Sequence, residues 1–364
     1  MTAWITATFR TPVAPRGGAL AGLHAHDLAA PLIGPCLVAG GIDAEQVDEL
    51  ILSNVLGEGG NPARLTALAA GLPERVAGLT IDRQCAGGLD AILLAAALVN
   101  SGQAEAVLAG GAESYSRRPL RLRTDPAGGA PVAYDQARFT PWPDRDPDMA
   151  EAAAALADRL GISRAEQEAW AVASHAKALA ARERLRPEII PLAGLDHDAF
   201  TRRLTAATAA RAGSVAGSIT AATAAVAADG AALCLVVSDR LMRKAPRGLR
   251  ILGGVTLGAR PEEPGLAPVP AIAACLEKAG AKTDQIAQAE IMEAYAVQAM
   301  ACVSGAGLDP ARVNPNGGAL ARGHPVGASG AILATRLFHD LSGGIGLAAI
   351  AAAGGIGSAL LLQG

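Results

Sequence analysis

The stretch IDRQCAGGLDAILLAAALVNSGQAEAVLAGG, residues 81–111, joins a cysteine and two glycines to a long apolar run. Its apolar residues recur with the spacing of one helical face, at Leu89, Ile92, Leu93 and Ala96. Asn100-Ser101-Gly102 is a typical helix end, and the AEAVLAGG that follows is typical of a short buried strand. A helix running into a buried strand indicates a crossover unit. The stretch therefore predicts an α/β fold with largely buried sheets.

A similar pattern recurs late in the chain. EQVDELILSN (45–54) aligns with DQIAQAEIME (284–293), and VLAGGAES (107–114) aligns with IAAAGGIGSA (350–359), in the same order. This predicts an internal duplication whose two halves pack face to face and leave a site between them. The segment at about 117–225 contains an amphipathic helix opened by a capping box of Ser163 and Glu166. We interpret this segment as an insertion that lies over the core.

Composition excludes several classes of function. The 364 residues are 51% hydrophobic and 18% charged, with a formal net charge of -3, so the chain has no basic footprint for nucleic acid. The five cysteines include no CxxC pair, which argues against a disulfide framework or a zinc site, and we expect no metal. The N-terminus does not resemble a signal peptide, and the apolar runs are too short or too broken by glycine to span a bilayer. We therefore expect a cytoplasmic protein that acts away from membranes.

Cys85 stands directly before the expected helix. Unpaired N–H groups and the helix dipole at that position would lower the pKa of the thiol and favour a reactive thiolate. Gly87 and Gly88 would leave room for a substrate to approach the sulfur. The alternative is a small buried cysteine in a tight turn, and the residues around Cys85 do not decide between the two.

A second informative stretch is VNPNGGALARGHPVGASGAILATRL, residues 313–337. It holds His324 between Gly323 and Pro325, in a glycine-rich loop that precedes a helix. A histidine fixed in this way suits a proton acceptor for a nucleophile. The alternative is a histidine that only satisfies loop carbonyls.

Several segments together carry a family resemblance. They are FRTPVAPRGGAL, the long segment from VDELILSN to CAGGLDAI, VLAGGAESYS, GLAPVPAI, MEAYAVQ and NGGALARGHPVGASGA. With these segments in this order, the chain resembles the thiolases, the family that makes and cleaves 3-ketoacyl-CoA. The resemblance implies a five-layered αβαβα fold of two similar halves, at 1–240 and 245–364. The loop domain, about 117–225, is inserted in the first half.

The resemblance also implies roles for individual residues. Cys85 would be the nucleophile that becomes acylated, and His324 the base that activates it. Backbone N–H groups of Cys85 and Ala353 would hold the oxyanion. The implied substrate-binding positions are Met292, Ala225, Gly323 and Gly355. Coenzyme A enters as part of the thioester substrate, no cofactor is implied, and we expect a homodimer or homotetramer.

The chain departs from the family pattern at the second catalytic cysteine. The run of Cys, an apolar residue and three glycines becomes AAAGGIG, with Ala351 at the cysteine position and Ala353 at the first glycine. A related branch carries its second cysteine at the position of Ala294, which is also alanine here. Alanine cannot move a proton.

Two further departures affect binding positions. Most thiolases have Asn at the position of Met292, where it holds a water of an oxyanion hole, and methionine offers no donor. The family's serine beside the pantetheine is Ala225. Acyl transfer through Cys85 would survive these losses, whereas carbon–carbon condensation and thiolysis would be impaired. The alternatives are a catalytically degraded homologue that binds acyl-CoA or serves as a partner subunit, and a cysteine-dependent thioesterase.

Other candidates have competing interpretations. Glu293 could replace the lost base, although an exposed or salt-bridged carboxylate is the more common situation. Arg202, Arg203 and Arg211 could meet CoA phosphates or form a solvated basic face. The remaining thiols have apolar sequence contexts typical of core residues: Cys36, Cys234, Cys275 and Cys302.

Overall fold

The computed structural model describes residues 2–57 and 59–364. The chain begins with β1 (Ala3–Arg10), β2 (Ala14–Pro15), α1 (Ala25–Gly40), β3 (Glu49–Ser53), α2 (Pro62–Ala69), β4 (Leu79–Ile81), α3 (Gly87–Asn100) and β5 (Ala106–Glu113). A long connecting segment follows, with β6 (Arg121–Arg123), β7 (Val132–Tyr134), α4 (Met149–Leu160), α5 (Arg164–Ala180), α6 (Arg182–Leu185), α7 (Ala206–Ala210), β8 (Ser214–Ala216) and β9 (Ile219–Thr220). The chain then returns to the sheet of its first strands through β10 (Ala228–Ser238), followed by α8 (Asp239–Met242).

The second half repeats the alternation of strands and helices. Its elements are β11 (Leu249–Gly258), α9 (Pro268–Ala279), β12 (Ile286–Ile291), α10 (Ala296–Gly305), α11 (Ala319–Arg322), α12 (Ser329–Asp340), β13 (Ile345–Ala352) and β14 (Ile356–Gln363). Within the described residues, no helix combines the length and the apolar character that a membrane span requires.

The two halves have the same strand topology. The first runs in the order β3-β5-β10-β1 and the second in the order β12-β13-β14-β11, each with one parallel pair followed by two antiparallel pairs. Strand β4 extends the first half beyond β3, and β1 pairs with β11 to join the halves edge to edge. The predicted duplication is therefore confirmed.

The duplication also makes two helices equivalent. Helix α3 lies in the crossover between the parallel strands β3 and β5, and α12 lies in the crossover between the parallel strands β12 and β13. One detail of the sequence alignment is wrong, because its glycine pairs do not correspond. Gly110 and Gly111 lie inside β5, whereas Gly354 and Gly355 form the turn after β13, both at positive φ.

Three hydrophobic clusters divide the molecule into layers. One joins α1 to the outer face of the first sheet, through residues such as Leu32 and Leu233. A second joins α9 to the outer face of the other sheet, through residues such as Ile272 and Leu361. The largest surrounds α3 and α12 between the two sheets. The order helix, sheet, helices, sheet, helix is the predicted five-layered αβαβα fold.

A pair of glycines lets the two central helices touch at their N-terminal ends. A Cβ on Gly88 would lie 2.8 Å from the backbone nitrogen of Ala331, and a Cβ on Gly330 would overlap the backbone nitrogen of Leu89. Only glycine fits at such a close approach of two backbones. The contact brings the turn before α3 next to the loop before α12.

The connecting segment between β5 and β10 contains the predicted amphipathic helix. Helix α5 begins at Arg164 and is capped by Ser163, whose N–H donates to Glu166 at 2.8 Å while its hydroxyl accepts from the Glu166 N–H. The predicted capping box is confirmed. It explains why the helix begins here, because the reciprocal bonds satisfy two N–H groups that have no partner within the helix.

Buried ion pairs fix this segment to both halves. Arg10 of β1 donates to Glu188 at 2.6 Å and to Asp198 at 2.7 Å, and both carboxylates belong to the connecting segment. Glu188 also pairs with Arg336 of α12. The side chains of Arg10, Glu188 and Arg336 are at most 1% exposed. Because a buried charge without its partner is strongly destabilising, these pairs hold the segment in one position over the core.

Candidate active site

Cys85 lies in the 3-10 turn that leads into α3. The turn spans Gln84–Ala86, and Gln84 adopts a φ of 50°, a strained conformation for a residue with a side chain. The Sγ atom of Cys85 lies 3.2 Å from Nε2 of His324. The structure therefore brings together the two residues that the sequence predicts as nucleophile and base.

A serine on α12 fixes the tautomer of His324. Ser329 donates its hydroxyl hydrogen to the carbonyl of Pro325 at 2.9 Å, so its Oγ is left to accept from Nδ1 of His324 at 2.6 Å. With the hydrogen on Nδ1, the lone pair of Nε2 faces the Cys85 thiol. The His324 N–H donates to the carbonyl of Val226 at 2.8 Å, which fixes the loop itself. This arrangement allows His324 to accept the thiol proton.

Both members of the pair are neutral at pH 7. Burial raises the pKa of the Cys85 thiol to about 12, and the carboxylates of Glu113 and Asp82 act in the same direction. The backbone N–H groups of Cys85 and Ala353 oppose this rise. Burial lowers the pKa of His324 to about 4. The predicted fall of the thiol pKa is therefore wrong, because desolvation outweighs the helix N-terminus.

Glu113, at the end of β5, holds the loop that follows His324. Its Oε2 accepts from the N–H groups of Gly327 at 3.0 Å and Val55 at 3.1 Å. Its Oε1 accepts from the side chain of Asn54 at 3.0 Å and from the N–H of Leu56 at 3.1 Å. Burial raises the pKa of this carboxyl to about 7. Glu113 thus ties the histidine loop to the loop after β3.

The cysteine and histidine face a cavity of about 410 Å³. Several of the residues that line it are small: Ala225, Ala227, Ala294, Ala351, Ala352 and Ala353. The connecting segment adds larger side chains, which include Phe139, Met149 and Leu156, and two arginines, Arg118 and Arg121. A nucleophile and base at the wall of a mostly apolar cavity are the arrangement expected of a small-molecule active site.

The chain matches two protein-family models that together cover almost its whole length. "Thiolase, N-terminal domain" matches residues 3–240, and "Thiolase, C-terminal domain" matches residues 248–364. The chain belongs to the thiolase family. This confirms the resemblance, and the thiolase fold accounts for the two equivalent halves.

Relatives of this thiolase span its full length. It is 41% identical to the "Putative acetyl-CoA C-acetyltransferase YhfS" of Bacillus subtilis (strain 168), with 100% of this chain and 99% of the relative covered. It is 38% identical to the "Acetyl-CoA acetyltransferase" of Pseudomonas aeruginosa, with 98% of each covered. The solved acetyl-CoA acetyltransferase of Bacillus anthracis superimposes with a TM-score of 0.93 at 34% identity and covers 100% of this chain and 98% of that one. These relatives place the thiolase among acyltransferase enzymes.

The cavity of this thiolase contains some of the predicted site residues. Ala225, Ala351 and Ala353 line it together with Cys85 and His324. Ala351 is the residue at which the resemblance implies a second cysteine, and it contributes a methyl group to the cavity wall. The structure therefore places Ala351 in the same cavity as Cys85 and His324.

Three predicted substrate-binding residues do not line the cavity. Met292 is 0% exposed and packs in the core between the two sheets. A Cβ on Gly323 would lie 2.9 Å from Cβ of Ala228. Gly355 has a φ of 75°, and a Cβ there would lie 2.6 Å from the carbonyl oxygen of Arg260. Packing and backbone conformation therefore explain why methionine and glycine occupy these positions. The structure does not support the assignment of these residues to substrate binding.

Two further interpretations are corrected by the packing. Gly87 and Gly88 do not open a path to the sulfur, because a Cβ on either would overlap protein atoms, beginning with Ser53 for Gly87. Glu293 is neither exposed nor salt-bridged: it is 1% exposed and does not line the cavity. It accepts hydrogen bonds from Trp170 at 3.0 Å and Ser174 at 2.7 Å, among others. A carboxylate held in this way supports the loop and is not a substitute base.

The arginines that reach the cavity are not the predicted ones. Arg202, Arg203 and Arg211 are exposed and do not line it, and Arg202 stacks on Phe200 instead. The four other thiols are buried, as predicted. Within the described residues no cluster of three or more His, Cys, Asp or Glu side chains has the geometry of a metal site.

Several residues of the site could not be assigned from the sequence. Ser329 was visible in the motif GHPVGASGA, five residues after His324, but its contact with the histidine depends on the fold. Glu113 was visible at the end of a predicted strand. Tyr115 and Tyr295 also line the cavity, and Tyr295 lies within the quoted segment MEAYA. Only the folded chain shows which of these side chains turn towards the cavity.

Proposed function

We propose that this thiolase transfers acyl groups from acyl-CoA thioesters through a covalent acyl-enzyme on Cys85, with His324 as the base. The observation that carries the proposal is the 3.2 Å contact between Sγ of Cys85 and Nε2 of His324. A buried neutral thiol becomes nucleophilic when its proton moves to an adjacent base during the attack. His324 is held in the tautomer that accepts this proton.

The backbone supports the acylation step. The N–H groups of Cys85 and Ala353 both interact with the Cys85 thiol. A thioester carbonyl carbon that bonds to this sulfur would place its oxygen within reach of the same donors. One such donor is typically worth ~100- to 1,000-fold in rate. The tetrahedral oxyanion then collapses, the bond from carbon to the CoA sulfur breaks, and the departing thiolate takes the proton from His324.

The second half-reaction of an ordinary thiolase lacks its usual groups. Ala351 presents a methyl group to the cavity, and Met292 is sealed in the core, where it cannot hold a water for an oxyanion. Loss of a general acid or base typically costs ~100- to 10,000-fold. We therefore infer that condensation and thiolysis of 3-ketoacyl-CoA are slow in this enzyme, whereas acyl transfer to and from Cys85 is preserved.

Intact-protein mass spectrometry tests the proposal. Wild type mixed with acetyl-CoA is expected to gain one acetyl group, Cys85→Ala none, and His324→Ala an acetyl group only slowly. Cys302→Ala, which removes a buried thiol outside the cavity, is the matched control and is expected to behave as wild type.

Two results would contradict the proposal. Absence of an adduct with acetyl-CoA and with longer acyl-CoAs would favour a homologue that binds acyl-CoA without turnover. Release of free carboxylic acid as the main product would favour a thioesterase, in which water removes the acyl group from Cys85.

A further inference from the structure

Tyr295 lines the active-site cavity together with Cys85 and His324. Burial raises the pKa of this phenol, and Asp148, Cys85 and Tyr115, which line the same cavity, add to the rise. Among residues 2–57 and 59–364, no group forms a hydrogen bond with the Tyr295 hydroxyl. A polar group in this position is available to a bound substrate.

The protein holds Tyr295 firmly at this wall. Its two chain neighbours are fixed to the segment between β9 and β10: Ala225 N–H donates to the carbonyl of Ala294 at 2.9 Å, and Ala296 N–H donates to the carbonyl of Thr223 at 2.8 Å. The Tyr295 ring packs against the apolar cluster that contains Leu156 of α4. A hydroxyl oriented by backbone bonds and ring packing is preorganised for one direction.

Two neighbouring polar groups of the cavity have other contacts. Tyr115 has the guanidinium groups of Arg118 and Arg16 over its ring, at 5.0 and 5.7 Å. Asp148 caps α4 and accepts from the N–H of Ala150 at 2.8 Å. Tyr295 lines the same cavity as Cys85, and its hydroxyl, which has no hydrogen-bond partner within the described residues, is available to give a proton to a substrate there.

We propose that Tyr295 is a catalytic acid of this thiolase, which protonates the carbanion formed when a 3-ketoacyl thioester is cleaved. The proposal rests on the proposed function, because it requires the acyl-enzyme on Cys85. In this assignment the Tyr295 hydroxyl performs the proton transfer that the methyl group of Ala351 cannot perform. The predicted residual thiolysis is then the activity that this hydroxyl supports.

The step balances with the groups present. Cys85 gives its proton to His324, and its sulfur bonds to C3 of the 3-ketoacyl thioester. The C2–C3 bond breaks, its electron pair goes to C2, and C2 takes the proton of Tyr295 to give the shortened thioester. Incoming CoA gives its thiol proton to the tyrosinate, and its sulfur takes the acyl group from Cys85. The released Cys85 thiolate recovers its proton from His324.

The protonation state of Tyr295 suits this role. Because its pKa is raised above the ordinary value, the phenol keeps its proton throughout the neutral range. A phenol is still far more acidic than the carbon adjacent to a thioester, so proton transfer to that carbanion is favourable. The hydroxyl therefore acts as a donor without a further base.

Two assays on the full-length chain test Tyr295→Phe, which removes only a hydroxyl that has no partner in the described protein. We expect acetylation of Cys85 by acetyl-CoA to proceed as in wild type. We expect the rate of CoA-dependent cleavage of acetoacetyl-CoA to fall by at least about 100-fold, which is the lower end of the usual contribution of a general acid. Tyr134→Phe is the matched control, since it removes the hydroxyl of a tyrosine that does not line the cavity, and we expect both activities to be preserved.

The outcomes separate the two proposals. If wild type forms no acyl adduct, the proposed function fails. If the adduct forms and Tyr295→Phe cleaves acetoacetyl-CoA as fast as wild type, only the assignment of Tyr295 is overturned. An adduct-forming wild type whose cleavage does not exceed that of Cys85→Ala would also overturn it, because the cavity would then contain no working acid.

Discussion

Nε2 of His324 lies 3.2 Å from Sγ of Cys85, although 239 positions separate the two residues in the chain. Each residue precedes one of the two central helices, α3 and α12, whose glycines meet at Gly88 and Gly330. The packing of the two helices thus brings the catalytic pair together. A change at either helix end would alter the distance between Sγ and Nε2, and with it the rate of proton transfer.

The thiol of Cys85 is expected to be the most reactive of the five, with a steep dependence on pH. It is the one cysteine that is not fully buried, and all five lie in the described part of the chain. Alkylation requires the thiolate, and burial raises the pKa to about 12. The labelling rate should therefore rise about tenfold per pH unit from pH 7 to pH 9. Limited iodoacetamide labelling with peptide mapping measures this, and preferential labelling of Cys36 or Cys302 would contradict it.

Ser329→Ala is expected to slow acylation by at least about 10-fold. Without an acceptor for Nδ1, His324 is free to carry its hydrogen on Nε2, where it cannot accept the thiol proton. The variant then loses part of the ~100- to 10,000-fold rate enhancement that a general base supplies. Rapid-quench mass spectrometry of the acetyl adduct measures the rate. Thr335→Ala is the matched control, because Thr335 on the same helix also donates to the carbonyl four residues earlier, at 2.9 Å, but does not contact His324. Equal loss in both variants would argue for a general effect on the helix.

Ala351→Cys is expected to increase thiolysis of acetoacetyl-CoA by about 10-fold or more. Ala351 lines the cavity, and a thiol there adds a group that can exchange a proton with the substrate carbanion. The spectrophotometric loss of acetoacetyl-CoA measures the gain. Ala152→Cys introduces a thiol into the same cavity from α4 and should leave the rate unchanged. No gain in Ala351→Cys would show that the lost cysteine alone does not limit the reaction.

Glu188→Gln is expected to lower the free energy of unfolding by about 3–5 kcal/mol, because it leaves Arg10 and Arg336 without their shared buried carboxylate. Urea unfolding followed by circular dichroism measures the change. Glu105→Gln, which disrupts an exposed pair with Arg240, should cost less than about 1 kcal/mol. A similar small loss in both variants would show that the buried pairs do not hold the connecting segment in place.

Local patterns predicted the α/β fold and its duplication, whereas the five-layered arrangement and the pairing of Cys85 with His324 were implied by the family resemblance. The apolar spacing from Leu89 to Ala96 and the repeated helix-to-strand boundaries need no knowledge of distant contacts. The positions of Cys85 and His324 before their helices follow from the same local patterns, together with the family motifs.

The misjudged residues depend on packing between distant segments. Met292 follows β12 directly and lies in the core between the two sheets, and Gly87 packs on Ser53 of β3. The direction of the Cys85 pKa shift follows from desolvation of the thiol, to which many segments contribute. Tyr295 could be read in the sequence, but only the fold shows that it lines the same cavity as Cys85.

The equivalence of α3 and α12 does not extend to the two catalytic residues. Gly88 and Gly330 are both second in their helices, but Cys85 lies three residues before Gly88 and His324 lies six residues before Gly330. The nucleophile and its base therefore come from different positions of the repeat, one from each half. Neither half alone contains the pair, so this chemistry needs both copies, although the strand order is the same in each.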